Sequence, residues 1–177
     1  MNRRSLACLL SLAVLAGPLQ AQTFPPRSTL TLTVGFAAGG AADTAARIIA
    51  KKLGENLGAT VVVDNKPGAG GNIAHAQVAN GPADGSVILL GSIGPLALAP
   101  HMMKISYDPL TDLAPISMAI DTPNLLVVPA SAPYKTFKDF IAFARKNPGK
   151  IDFASTGSGS ASHLAGELVN DIAKIDT

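Results

Sequence analysis

Three short apolar or β-branched runs, each separated from the next by a helical segment, constrain this fold more than any other feature. The runs are Leu30 to Val34, Thr60 to Val63 and Val87 to Leu90. Between them, Ala45 to Leu57 and Ile73 to Ala79 repeat their apolar residues at helical intervals. Strand, helix, strand, helix, strand predicts a parallel sheet with right-handed crossovers, because parallel neighbours need a long connection.

The amino-acid composition agrees with layers of helix and sheet. Aromatic residues make up 5% of the chain and tryptophan is absent, so valine, isoleucine, leucine and alanine must fill the core. Such a core favours an α/β fold over an aromatic-rich β-sandwich. The helix ends carry matching signals, because Asp43 and Asn72 suit N-cap positions and Gly58 suits a C-cap.

The pattern is less regular after the third run. Residues 91–100 are expected to form a loop or short helix, and residues 107–113 an irregular surface segment. Helices are predicted over Phe137 to Lys146, with Thr136 as the cap, and over Ser162 to Ile172. The sequence also predicts three further short strands, Ala114 to Ile120, Leu125 to Val128 and Ile151 to Ala154.

The N-terminus has the pattern of a secretory signal peptide. Arg3 and Arg4 precede an apolar run of 11 residues, Leu6 to Ala16, and small residues before Gln22 suit cleavage after Ala21. A membrane anchor is the alternative, but the run is well short of the ~20 apolar residues that a spanning helix needs. The predicted organisation is a leader, a first domain and part of a second domain, over residues 1–21, 22–105 and 106–177.

Loss of this leader would remove the charge bias and the only cysteine. The whole chain has a formal net charge of +2, for which Arg3 and Arg4 account. A neutral mature chain gives no reason to expect nucleic acid or an anionic membrane surface as a partner. Without Cys8 there is no disulfide or thiol chemistry, and the three scattered histidines lack metal-ligand spacing. Neither a metal nor a cofactor is expected.

Two glycine-rich turns are the candidate binding elements. Each follows an apolar run and precedes a helical segment; the first is Val34 to Asp43 and the second Phe153 to His163. The first N–H groups of a helix lack partners and carry partial positive charge, so two such turns suit a clamp for a small acidic molecule. The candidate ligand-binding residues are Gly39, Gly40 and Asp43 in the first turn, Ser155, Thr156, Gly157, Ser158 and Ser160 in the second, and Gly71, Asn72, Ser92 and His163 as further lining residues.

A nucleotide-dependent or serine-type enzyme is the alternative interpretation of the second turn. Residues 157–162 partly match a dinucleotide-binding fingerprint, but the last glycine is missing. Ser160 and His163 share one helical face, yet there is no Gly-x-Ser-x-Gly elbow and no acid placed to orient the histidine. We therefore predict no catalytic residue. Either turn is also compatible with a purely structural helix start.

Several sequence blocks match one known family in order along the chain. They are Val34 to Asp43, Asn65-Lys66-Pro67-Gly68-Ala69-Gly70-Gly71-Asn72-Ile73, Ala83-Asp84-Gly85, Tyr107-Asp108-Pro109-Leu110 and Ser155 to Glu167. With these blocks the chain resembles the Bug-type extracytoplasmic solute receptors, the substrate-binding components of tripartite tricarboxylate transporters. The resemblance covers nearly the whole mature chain.

The resemblance implies a periplasmic receptor with a two-domain, periplasmic-binding-protein-like (type II-like) α/β architecture. Here that architecture would comprise the N-terminal βαβαβ half and part of the second domain. Its ligand would be a small carboxylate, either a di- or tricarboxylate or an acidic amino acid. Backbone amides, hydroxyls and bridging waters of the two turns would hold that ligand. The resemblance also implies membrane permease subunits as partners, a monomer, no cofactor and no catalysis.

The chain departs from the family pattern in two respects. Members usually have prolines where Gly35 and Ala38 stand, and often a hydroxyl residue near Ala41 or Ala42. A more mobile first turn with fewer ligand contacts is therefore expected. Members are also much longer than this chain, which stops at Thr177. A non-functional truncated fragment of such a receptor is the second interpretation.

Overall fold

A three-stranded parallel sheet organises the first part of the protein. The computed structural model describes residues 29–177, so the predicted leader and its cleavage site lie outside the described residues. Strand β1 (Thr29–Val34) lies between β2 (Thr60–Asn65) and β3 (Val87–Leu90), in the order β2-β1-β3. Both pairings are parallel, which confirms the predicted sheet.

Two helices cover opposite faces of this sheet. Helix α1 (Ala41–Leu57) connects β1 to β2, and α2 (Asn72–Ala79) connects β2 to β3. The first crossover runs to one side of β1 and the second runs back across it, so right-handed connections place the helices on opposite faces. Helix α1 packs against β1 and β2, whereas α2 packs against β3 and β1.

Small residues let α1 approach the sheet closely. Leu32 and Val34 point to the same face of β1, because side chains alternate along a strand. They form a buried cluster with Ala46 and Ala50, which lie one helical turn apart on α1. The core is therefore built from short aliphatic side chains, as the composition predicts.

The predicted caps were partly wrong. Gly40, rather than Asp43, is the N-cap of α1, and Gly71, rather than Asn72, is the N-cap of α2. Neither glycine offers a capping side chain, and the polar residues lie inside the first turn of each helix instead. Gly58 does end α1 in the left-handed conformation, with φ of 62°, as predicted.

Helical turns follow β3. A π-helical turn over Gly94–Leu98 runs directly into the short helix α3 (Ala99–Met102), in agreement with the predicted loop or short helix. The segment after α3 is irregular, as expected, but its first residue is not at the surface. Tyr107 is only 7% exposed, so the prediction of a surface segment is wrong for that residue.

The three additional strands predicted in the second part do not form. Residues 114–120, 125–128 and 151–154 make no strand pairing in the described part of the chain. Apolar side chains in the first two runs are largely exposed, among them Met118 at 87% and Leu125 at 79%. An apolar run becomes a strand only when another strand satisfies its backbone groups, and no described segment pairs with these runs.

The two remaining helices match their predictions closely. Helix α4 is Phe137–Lys146, and Thr136 caps it by accepting a hydrogen bond from the Asp139 N–H. Helix α5 is Ala161–Ala173, with Ser160 as its cap. Arg145 joins the two, because its Nε and Nη2 donate to the Ala173 carbonyl oxygen at 3.1 and 2.8 Å. Among residues 29–177, no helix is long and apolar enough to cross a membrane.

Candidate functional site

The three strands end at the same edge of the sheet, and the candidate binding turns begin at that edge. Val34 pairs with both Asn65 and Leu90, the last residues of their strands. The turn after β1, the glycine loop after β2 and Ser92 after β3 therefore leave the same edge of the sheet. Open α/β sheets bind ligands outside the carboxyl ends of their strands, so this edge is the candidate site.

The glycine loop, residues 66–71 between β2 and α2, lies at the centre of the candidate site. Sequence reasoning treated this loop as secondary. A Cβ on Gly70 would lie 2.7 Å from the Ser158 carbonyl oxygen, and one on Gly157 would lie 2.9 Å from the Gly70 nitrogen. A Cβ on Gly94 would lie 2.7 Å from the Gly159 carbonyl oxygen. The second turn thus rests directly on the backbone of two glycines, where a side chain would leave no room.

The start of the first turn also packs on this loop. A Cβ on Gly35 would lie 2.9 Å from the Gly71 Cα, and one on Gly71 would lie 3.6 Å from the Ser92 Oγ and 3.7 Å from the Phe36 ring. Both predicted turns therefore approach the loop that contains Gly70 and Gly71. The tip of the first turn is exposed, and a Cβ on Gly39 would meet nothing within 4 Å.

Asp43 braces the first turn from inside α1. One carboxylate oxygen, Oδ2, accepts hydrogen bonds from the Gly39 N–H at 2.8 Å and from the Arg47 Nε at 2.9 Å. The Arg47 hydrogen bond, followed by the Gly39 N–H, lowers the pKa of Asp43 from 3.8 to about 2. Asn65 completes the brace by donating to the Phe36 carbonyl oxygen at 3.0 Å. In this conformation the Gly39 N–H is already engaged.

Hydroxyl groups of the second turn mostly stabilise the start of α5. The buried Ser160 Oγ accepts from the His163 N–H at 3.2 Å, which makes this pair a helix cap. The Thr156 N–H donates to the Ser162 Oγ at 3.0 Å, and the Gly157 N–H donates to the Ser155 Oγ at 3.3 Å. This geometry does not favour a serine nucleophile, because the Ser160 hydroxyl meets the backbone of His163 rather than its ring.

Some donors at this edge are not engaged by the protein. The Ser158 N–H and hydroxyl have no hydrogen-bond partner among the described residues, and Ser158 is exposed. The Ser92 Oγ is buried and likewise has no partner within residues 29–177. The first N–H groups of α5 have no acceptor within the helix, although that of His163 donates to the Ser160 Oγ. These neutral donors are suited to an anionic oxygen.

Asn72, by contrast, is fully used inside the protein. Its Nδ2 donates to the Ala69 carbonyl oxygen at 2.8 Å, and its Oδ1 accepts from the Tyr107 hydroxyl at 2.8 Å. The same hydroxyl lies 2.9 Å from the Pro95 carbonyl oxygen. Tyr107 is a residue that sequence reasoning missed as part of the site, although it stands in one of the family blocks. Burial raises its pKa.

His75 is the second residue that sequence reasoning missed. Its ring is fully buried, with Nδ1 2.9 Å from the Gly71 carbonyl oxygen and Nε2 3.2 Å from the Ser92 nitrogen. The ring therefore joins the glycine loop to the turn after β3. Burial lowers the pKa of His75, an effect that the Gly71 hydrogen bond opposes. A lone histidine within an alanine-rich helix was the only available sequence signal.

The candidate site is built mainly from backbone turns and neutral hydroxyl groups. No group of three or more metal-ligating side chains occurs in the described part of the chain. Backbone turns at the carboxyl ends of a parallel sheet, with a helix start facing them, define an α/β protein of the periplasmic-binding-protein kind. The chain belongs to the tripartite tricarboxylate transporter family of receptors, whose family model matches residues 45–176.

Curated relatives agree with this assignment. A protein of Pseudomonas sp. strain P51, described as lying in the tcbD-tcbE intergenic region, is 37% identical over 99% of this chain and 53% of its own length. BugT of Bordetella pertussis is 39% identical over 88% of this chain and 48% of its own length. The chain thus spans about half the length of the curated relatives it matches.

Solved structures give the same fold. A Rhodopseudomonas palustris protein with adipate has a TM-score of 0.79 and 37% identity, covering 87% of this chain and 52% of its own. MatC from Rhodopseudomonas palustris, with bound malate, has a TM-score of 0.78 and 33% identity, with 86% and 52% covered. The periplasmic binding protein BugD has a TM-score of 0.72 and 36% identity, with 84% and 50% covered. One of these neighbours is thus described as a periplasmic binding protein, and the other two carry a bound carboxylate, adipate or malate.

Proposed function

We propose that this chain is a periplasmic receptor that binds a small carboxylate and delivers it to membrane permease subunits of a tripartite tricarboxylate transporter. The observation that carries the proposal is the contact of the second turn with Gly70, which brings the start of α5 to the carboxyl edge of the sheet. Family membership and the adipate- and malate-bound neighbours support it. The proposed receptor is a monomer, exported by a signal peptide cleaved after Ala21, and catalyses nothing.

Neutral donors would hold the carboxylate. Ser158 offers a free N–H and hydroxyl, and the first N–H groups of α5 add partial positive charge. The Ser92 hydroxyl faces the same loop from the other side. The exposed tip of the first turn, at Gly39 and Gly40, would close over the ligand. Hydrogen bonds from neutral donors to a carboxylate are weaker than those from a cationic side chain, which suits release to a permease.

Direct titration calorimetry of the chain tests this proposal. Adipate, malate and citrate form one group of ligands, and NAD and ATP form the second. Saturable binding of at least one carboxylate, with no heat from either nucleotide, is the expected result. Binding of a nucleotide alone would overturn the proposal in favour of the nucleotide-dependent enzyme. Absence of all binding in a cooperatively folded chain would favour the non-functional fragment.

Two serine variants test whether Ser92 belongs to the binding site. Ser92→Ala removes a hydroxyl that has no partner in the described protein, so the fold should tolerate the change. If that hydroxyl contacts the carboxylate, affinity falls by roughly threefold to tenfold, the value of one hydrogen bond. Ser131→Ala is the matched control, because Ser131 is exposed and lies in a turn far along the chain from the three strands. Equal affinity of both variants would remove Ser92 from the site.

A further inference from the structure

The ring of His75 can make both of its hydrogen bonds in only one protonation state. The Ser92 N–H is a donor, so the facing Nε2 must carry a lone pair. The Gly71 carbonyl is an acceptor, so the facing Nδ1 must carry the proton. The neutral ring protonated on Nδ1 satisfies both partners. A doubly protonated ring would direct an N–H bond at the Ser92 N–H.

This ring connects two elements of the candidate site that are distant in sequence. Gly71 begins α2 and adjoins Gly70, on which the second turn rests. Ser92 follows β3 and carries the unpartnered buried hydroxyl. The two hydrogen bonds of the ring, together with loop packing, fix the distance between the glycine loop and the turn after β3. The ring itself is fully buried, and both of its nitrogens face backbone atoms of the protein.

We infer that His75 is a positioning residue, whose neutral ring holds the Gly71 and Ser92 turns at the separation that a carboxylate needs and whose protonation loosens the site. This inference rests on the proposed function. Acidification would then weaken ligand capture by breaking the Ser92 hydrogen bond. The site would hold its carboxylate near neutral pH and release it more readily as the pH falls.

The surroundings of the His75 ring influence its protonation mainly through burial, and not through a neighbouring charge. The titratable residue whose ring lies against that of His75 is Tyr107, with ring centroids 6.2 Å apart and planes inclined by 30°. Its hydroxyl is directed to Asn72 and Pro95 rather than to the imidazole. Within residues 29–177, no carboxylate or cationic side chain forms a recorded ion pair with His75. A protonated His75 ring would therefore have no ion-pair partner among the described residues.

The test compares His75→Asn with the parent chain. Asparagine keeps a donor near the Nδ1 position but cannot accept from the Ser92 N–H. Titration calorimetry with the carboxylate that binds the parent chain best, across pH 5 to 8, should show affinity reduced by up to about tenfold at the alkaline end. The parent chain should lose affinity on acidification more steeply than His75→Asn. His163, which lies beside the second turn, is present in both proteins and so does not distinguish them.

His101→Asn is the matched control, because His101 is exposed and makes no recorded hydrogen bond in the described chain. Its affinity and pH profile should equal those of the parent chain. Nitrogen-15 spectra of the three imidazoles, assigned with the two variants, should show His75 protonated on Nδ1 and free on Nε2. A proton on Nε2 at neutral pH would overturn the inference whatever the affinities are.

The two proposals fail differently in these measurements. A parent chain that binds a carboxylate, together with an unaltered affinity and pH profile in His75→Asn, would refute the role of His75 and leave the receptor proposal standing. A folded parent chain that binds no carboxylate would refute the receptor proposal, and the control of its site by His75 with it.

Discussion

Replacement of Gly70 by alanine tests the contact on which the proposed site depends. Gly70 has φ of 63°, and a Cβ there would lie 2.7 Å from the Ser158 carbonyl oxygen and 3.2 Å from the Ser160 nitrogen. Carbon atoms pack best at roughly 3.5–4.0 Å from their neighbours, so the methyl group overlaps the second turn. The turn must either move away or remain under strain.

The expected magnitude has two parts. A left-handed conformation costs an alanine roughly 1–2 kcal/mol relative to glycine. Overpacking of a close contact adds about 1–3 kcal/mol if the second turn stays in place. If the turn moves instead, the second cost appears as weaker carboxylate binding, because Ser158 and the start of α5 leave the edge of the sheet.

Gly58→Ala separates these two parts. Gly58 has φ of 62°, almost the same as Gly70, but a Cβ there would meet nothing within 4 Å. Urea unfolding followed by circular dichroism gives the free energy of unfolding, and titration calorimetry gives the affinity. The control should lose only the conformational cost, with unchanged affinity. Each kcal/mol should also lower Tm by roughly 2–4 °C in a chain of this size.

The result that would refute this reasoning is agreement between the two variants. If Gly70→Ala matches Gly58→Ala in both the free energy of unfolding and the carboxylate affinity, then the second turn does not rest on Gly70 in solution. The central position of the glycine loop in the proposed site would be wrong.

Three further substitutions have defined outcomes. Tyr107→Phe removes a buried hydroxyl and should lower the free energy of unfolding by about 1–3 kcal/mol. The control Tyr134→Phe should change it little, because the Tyr134 hydroxyl has no hydrogen-bond partner in residues 29–177. Urea titration measures both. Asp43 has a folded pKa depressed from 3.8 to about 2, so its contribution is present above pH 3.8 and lost as the pH falls through about 2. Unfolding measured against pH should therefore show a flatter acid limb in Asp43→Asn, and equal slopes would contradict the role of its Arg47 pair. Thr136→Ala removes the cap of α4 and should cost about 1 kcal/mol of unfolding free energy without changing carboxylate affinity, and a loss of affinity in calorimetry would contradict this.

The first part of the fold was predictable because its signals are local. The apolar runs at β1, β2 and β3 and the helical spacing between them specify a parallel sheet whatever the rest of the chain does. The cap at Thr136 and the helix end at Gly58 are likewise decided by a few neighbouring residues. Family blocks added the class of ligand that we propose. The predicted domain boundary near residue 105 stays a prediction.

The failures share a non-local cause. The runs at 114–120, 125–128 and 151–154 have strand composition, but a strand exists only with a partner, and local pattern cannot supply one. Asp43 and Asn72 are good capping residues, yet glycine occupies both cap positions. The φ of 100° at Gly71 favours glycine, whereas the extended backbone at Gly40 is open to any residue. Sequence reasoning also took the two glycine-rich turns as the main binding elements and the loop between β2 and α2 as secondary, whereas that loop contacts both turns.

The sequence by itself determined the parallel sheet and the receptor family, and it predicted the edge at which we propose that a ligand binds. Each of these follows from periodicity and from motifs that are contiguous in the chain. Only the tertiary structure decided that Gly70 supports the second turn, that Tyr107 is buried against Asn72, and that His75 joins Gly71 to Ser92. Those contacts link segments far apart in the chain, so their existence depends on how the layers pack and not on local spacing.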